Sequence, residues 1–165
     1  MNASLSVVRQ TGLMPVLRTS LIGGAIAGSL DLVFAFTYYG LHGIPPIRIL
    51  QSIASGLLGM SSFTGGMAAA CIGVACHYFI LVVATFLYLT ASRYAAILIR
   101  HAVACGLLYG AAIYVVMHFV VVPLSAAPPF KPTAGAVFAE LGSHLFLVGL
   151  SIALVVRRHF QCAAS

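Results

Sequence analysis

Asp31 and Glu140 are the only acidic residues in a chain of 165 residues, and each stands inside a long apolar run. An ionisable group near the middle of a bilayer costs at least ~2.5–3.5 kcal/mol on insertion scales, so it faces a partner or a water-filled space. His77, His118 and His144 also fall within apolar runs. Carboxylates and imidazoles are the groups that relay protons, hold divalent metals and ligate haem iron. Glu140 and His144 are four positions apart, which stacks them on one face of a helix. There the carboxylate can orient the imidazole, raise its basicity or share a proton with it. The competing reading is that these groups only hydrogen-bond across helices and specify packing, at ~0.6 kcal/mol per bond on average in membrane proteins.

Three chemistries fit these residues. Asp31, His77, His118, Glu140 and His144 can form a proton or cation relay. His77 and His144 can serve as axial ligands of a non-covalent haem. Glu140, His144 and a further histidine can hold a divalent metal, although E-x-x-x-H is neither the E-x-x-H of di-iron bundles nor H-E-x-x-H. No P-loop, nucleophile elbow or dinucleotide fingerprint is present. The chain is therefore expected not to be an enzyme and to need no cofactor, with haem or a metal as the exception.

The elements that must position these side chains are membrane spans. The chain is 62% hydrophobic and only 6% charged, whereas a soluble domain carries roughly 25% charged residues. A helix needs about 20 apolar residues to cross the hydrocarbon, and the sequence offers such runs at 20–41, 66–90, 101–124 and 134–156. Pro123 and the Pro128-Pro129-Phe130-Lys131-Pro132 run close the third and turn the chain into the fourth. This predicts an all-α, integral-membrane four-helix bundle forming a single transmembrane domain over 1–165.

Arg9, Arg18, Arg93, Arg100, Arg157 and Arg158 fall on one side of these spans, and only Arg48 and Lys131 on the other. The positive-inside rule then places both termini in the cytoplasm. With that orientation, and ~1.5 Å of rise per residue, the five ionisable groups share the outer half or the middle of the membrane. The cations are single or paired with no interleaved aromatics, so nucleic acid is excluded as a partner. Cys71, Cys76, Cys105 and Cys162 form no C-x-x-C pair and read as small packing residues or free thiols.

Between the first two spans, Pro45 and Pro46 start a short helix that Gly59 or Gly65-Gly66 ends. Arg48, Gln51, Ser52, Ser55 and Gly59 recur in it at steps of three and four. This predicts an extra amphipathic helix at 46–59, on the outer surface or dipping inward, that seals the bundle. Gly24-x-x-x-Gly28 and Gly106-x-x-x-Gly110 mark close helix contacts, internal ones first and a homo-oligomer seam second.

One further pattern concerns the order of these marks. His77 opens an apolar run, then come Gly106-Leu107-Leu108, and His118 shortly before Pro123-Leu124 and Pro128-Pro129. Glu140-Leu141-Gly142-Ser143-His144 and a closing Arg157-Arg158 complete it. In this order the chain resembles the uncharacterised YagU-like family of bacterial inner-membrane proteins, over spans two to four. In span one the likeness is limited to Ala27-Gly28 and Pro45-Pro46, and does not reach Asp31. The resemblance implies a small multi-pass protein of the bacterial inner membrane with no assigned activity. It singles out His77, His118, Glu140 and His144.

The functional expectation is a membrane protein with a buried Asp/Glu/His site that is protonatable or ion-handling. The alternatives are an accessory subunit of a larger membrane complex, and a haem- or metal-binding membrane protein.

Overall fold

A computed structural model describes residues 12–129 and 131–162; Arg9 and Phe130 lie outside the described residues. Among the described residues the structure is helical and has no strand. In chain order the helices are α1 (Leu13–Leu41), the short α2 (Pro46–Leu58), α3 (Gly66–Ser92), the one-turn α4 (Ile97–Arg100), α5 (Ala102–Leu124) and α6 (Ala134–Cys162). Four of them, α1, α3, α5 and α6, are long and apolar enough to cross a membrane. The all-α membrane bundle is thus the observed fold.

Local chemistry sets the helix ends. Pro46 opens α2, where a missing N–H costs nothing. Gly59, at φ 60°, closes it in a conformation that a side chain resists. Thr133 caps α6 by accepting the Ala136 N–H at 3.2 Å. Within α5 the residues Met117–Val121 form a π-turn, in which the Val122 N–H reaches back to the Met117 carbonyl. Pro123 follows directly and has no N–H for the Phe119 carbonyl, against which its ring would clash; widening the preceding turn relieves that clash. A second π-turn, His144–Gly149, interrupts α6.

The long helices pack antiparallel. Gly24 and Gly28 of α1 lie against Val82 and Tyr78 of α3, and Gly106 and Gly110 of α5 against Gly149 and His144 of α6. Thr19 meets His159, and Tyr39 meets Glu140, along the α1–α6 seam. The start of α1 and the finish of α6 therefore share one end, here the terminal end, and α2 lies at the other. Small residues fill the interior: Ala27, Ala54, Ala69, Ala70, Ala102 and Ala153 are buried, as are Ser20, Thr85 and Ser92. Those three hydroxyls donate to the carbonyl four residues back, so each is satisfied within its own helix. Many large apolar side chains point outward, with Phe79, Leu108, Phe119 and Phe138 each about 70% exposed. Small residues at the contacts and large apolar side chains on the outside suit lipid, because helices there associate by close backbone approach.

The polar stripe of α2 is split: Gln51 and Ser55 face the protein, whereas Arg48 and Ser52 are exposed. Gln51 and Ser55 are buried, and Gln51 Nε2 donates to the Gly66 carbonyl at 3.1 Å, while Leu57 is exposed. Where α2 crosses α3, a Cβ on Gly73 would meet the Leu50 carbonyl oxygen at 2.0 Å. The far end of α2 is tied to the segment after α5 by a bond from the Ala126 N–H to the Gly56 carbonyl. An apolar face turned outward suits a helix that dips toward lipid.

The tightest seam, between α5 and α6, gives a direct test. A Cβ on Gly149 would stand 2.2 Å from the Gly106 carbonyl oxygen and 2.4 Å from the Gly110 nitrogen. Gly149→Ala is expected to cost about 1–3 kcal/mol by overpacking. Gly142→Ala on the same helix, where nothing lies within 4 Å, is expected to be neutral or slightly stabilising. Thermal melts of both variants in detergent, followed by circular dichroism, check the contrast.

Candidate functional site

The α5–α6 seam brings Tyr114 and His118 of α5 against Glu140 and His144 of α6. His118 Nε2 lies 3.1 Å from Glu140 Oε2, and both side chains are partly buried. The other carboxylate oxygen, Oε1, accepts a hydrogen bond from the Tyr39 hydroxyl of α1. The Tyr114 ring stacks on His118 with centroids 4.2 Å apart and meets the His144 ring edge-on at 5.5 Å. One carboxylate therefore joins three helices, flanked by a buried aromatic ring.

The remaining ring nitrogens assign the protons. His118 Nδ1 lies 3.3 Å from the Tyr114 carbonyl, and His144 Nδ1 lies 2.9 Å from the Glu140 carbonyl. A carbonyl only accepts, so each Nδ1 carries a hydrogen, and in the neutral imidazole Nε2 is then a bare acceptor. The contact between His118 Nε2 and Glu140 Oε2 consequently holds one proton, on the carboxyl or on the imidazole. The Glu140 carboxylate pairs with His118 across the seam and not with His144 on its own helix. His144 instead donates to the Glu140 main chain.

The other candidate residues lie nearby on the same helices. Ser143 donates to Asp31 Oδ1 at 2.6 Å, the length of a hydroxyl bonded to a carboxylate. Ser143 precedes His144, so Asp31 is fastened to α6 within one turn of Glu140. His77 of α3 is buried and donates from Nε2 to the Gly28 carbonyl of α1 at 3.0 Å, one turn before Asp31. Its ring packs edge-on against Tyr78. Thus His118, Glu140 and His144 come together, Asp31 joins them through Ser143, and His77 serves the α1–α3 seam.

Tyr39, Tyr114 and Ser143 belong to the cluster although their types and positions did not mark them. Tyr39 carries the sequence signature of an interfacial anchor, and nothing local distinguishes it from Tyr38. Tyr114 is four residues before His118, and Ser143 three after Glu140; those spacings are the one available signal.

Among the described residues, no group of three or more His, Cys, Asp or Glu side chains converges to hold a metal ion. His77 donates from Nε2 to the Gly28 carbonyl, which leaves its lone pair on Nδ1. Compared with protein-family models, curated proteins and solved structures, the chain matches none.

Glu140→Ala would leave both the Tyr39 hydroxyl and His118 Nε2 without their partner, at an expected cost of about 1–3 kcal/mol. Glu140→Gln keeps both bonds, since the amide oxygen accepts from Tyr39 and the amide N–H donates to His118 Nε2. It is expected to stay within about 1 kcal/mol of the wild type. Double-mutant cycles sharpen the map: Tyr39→Phe and Glu140→Ala should be coupled, whereas His77→Ala and Glu140→Ala, which share no partner, should add within ~0.5 kcal/mol. Chemical denaturation in detergent micelles measures all of them.

Proposed function

We propose that this multi-pass membrane protein handles protons or a cation at the His118–Glu140 pair, with Tyr39 and the neighbouring Asp31 and His144 as its polar surroundings. The observation that carries the reading is the pair of contacts His118 makes, Nδ1 with the Tyr114 carbonyl and Nε2 with Glu140. With Nδ1–H committed to the Tyr114 carbonyl, the 3.1 Å contact is satisfied either as a carboxyl donating to Nε2 or as an imidazolium donating to a carboxylate. Moving between these two forms displaces one proton along one bond. Removing it leaves two lone pairs facing each other and a net negative charge among apolar helices. Proton loss is therefore coupled to the arrival of another positive charge, which is the behaviour an ion-handling site requires.

Magnitudes support function over packing. Glu140 makes two interhelical contacts, worth roughly 0.6 kcal/mol each on average. Their sum falls short of the ~2.5–3.5 kcal/mol that an acidic side chain costs at the centre of a membrane helix. A residue retained only for packing would be better served by an apolar side chain or an amide.

In this reading the membrane is a bacterial inner membrane and both termini are cytoplasmic. The supporting observation is that Arg18, Arg93, Arg100, Arg157 and Arg158 lie at the terminal end, against Arg48 and Lys131 at the other. The likeness to the YagU-like family points the same way. The reading includes no enzymatic step; the partners are the bilayer and a second copy or a larger membrane complex.

Proteoliposomes carrying an internal pH-sensitive dye test the proposal. Under an imposed proton or cation gradient, wild-type vesicles are expected to change internal pH faster than empty ones. Glu140→Gln, which keeps the fold, is expected to lower that rate at least tenfold. Infrared difference spectra across pH should show a carboxylic-acid C=O band that Glu140→Gln removes. Wild-type vesicles that match empty ones under every gradient, with no such band, would sink the reading.

A further inference from the structure

At the terminal end, far from the acidic cluster, α1 and α6 line an open groove of about 250 Å³. Ile22, Ile26 and Val155 line it together with Thr19, Arg158 and His159. A second depression of about 620 Å³ shares Thr19, Ile22 and His159 and extends to Arg18. The Thr19 hydroxyl and His159 Nδ1, 2.7 Å apart, bridge the two helices where the depressions meet.

We infer that this groove seats an anionic phospholipid, with its phosphate between Arg18 and Arg158 and an acyl chain along Ile22, Ile26 and Val155. The order of polarity along the groove is that of a lipid: cations and a hydroxyl at the helix ends, then branched apolar side chains deeper in. Arg18 and Arg158 are both exposed. No carboxylate side chain of this protein can serve them, because Asp31 is held by Ser143, and Glu140 by Tyr39 and His118. A phosphate diester meets the planar, multiply donating guanidinium with charge-assisted bonds that a zwitterionic head offers only with a competing cation attached. Basic pockets between membrane helices at one membrane face are the geometry in which anionic headgroups bind. The inference requires the four long helices to lie in a bilayer. It is independent of proton handling, so either can fail alone.

Native mass spectrometry of the full chain, released from detergent after equilibration with phosphatidylglycerol or phosphatidylcholine of identical acyl chains, tests it. Phosphatidylglycerol is expected to remain bound in preference to phosphatidylcholine. Arg18→Gln and Arg158→Gln should each weaken its retention about fivefold, the effect of one basic residue near a charged membrane surface. Arg100→Gln, at the same end but outside the groove, should leave retention unchanged. Ile26→Trp fills the groove from a side chain that is 43% exposed, so the fold tolerates it, and should displace the lipid with both arginines intact. Equal retention of the two lipids would overturn the inference. So would an equal loss with Arg100→Gln, no loss with Ile26→Trp, or competition by inorganic phosphate at the lipid's own concentration.

Discussion

The close approach of α5 to α6 governs the rest of the molecule. Gly106, Gly110 and Gly149 bring two backbones together so tightly that no Cβ fits between them. Only at that separation can His118 reach Glu140 with a direct hydrogen bond, and only there does the Tyr114 ring touch both histidines. Both π-turns lie in the same stretch, so the helices are locally widened where they carry the polar groups. Such turns recur at functional sites because they re-aim side chains within an otherwise regular helix. Here Pro123 provides a physical cause for the first of them.

The acidic cluster and the apolar half are complementary. Toward the terminal end the core is Leu81, Leu89, Val148, Ile152 and Val156, with Tyr88 and Tyr109 packed ring against ring. The Tyr109 hydroxyl donates to the Ala84 carbonyl and so ties α5 to α3. That half holds no carboxylate among its described residues, and its packing fixes the helices at one end. The opposite half is then free to hold groups that bond across gaps rather than fill them.

Much of this was legible in the sequence. Composition alone separates a membrane bundle from a soluble domain, because 6% charged residues cannot cover a water-facing surface. The small-residue pairs Gly24/Gly28 and Gly106/Gly110 announced close contacts, which prove to lie within the protomer. What the sequence could not carry is which neighbour each polar group selects. Helical spacing offers Glu140 to His144, yet the carboxylate turns to His118, because rotamer and helix crossing decide the partner rather than position along one helix. The same limit applies to α2, whose polar stripe is periodic but whose direction depends on what it packs against. In lipid, Gln51 finds its partner, the Gly66 carbonyl, only by facing the protein, whereas Ser55 is satisfied by the Ser52 carbonyl of its own helix.

The α1–α6 seam has a consequence for biogenesis. Chains are made from the N-terminus, so α1 enters the membrane while most of the protein is still unsynthesised. Asp31 and Tyr39 must then wait for partners, Ser143 and Glu140, that emerge more than a hundred residues later. During that interval the nascent first span bears an unmatched carboxylate, held in place by its surrounding Leu, Ile, Val and Phe residues alone. Once α6 is present, Ser143 and Glu140 supply those partners and the bundle closes along this seam. The α1–α6 seam thus makes the settled state of the first span depend on a helix made more than a hundred residues later.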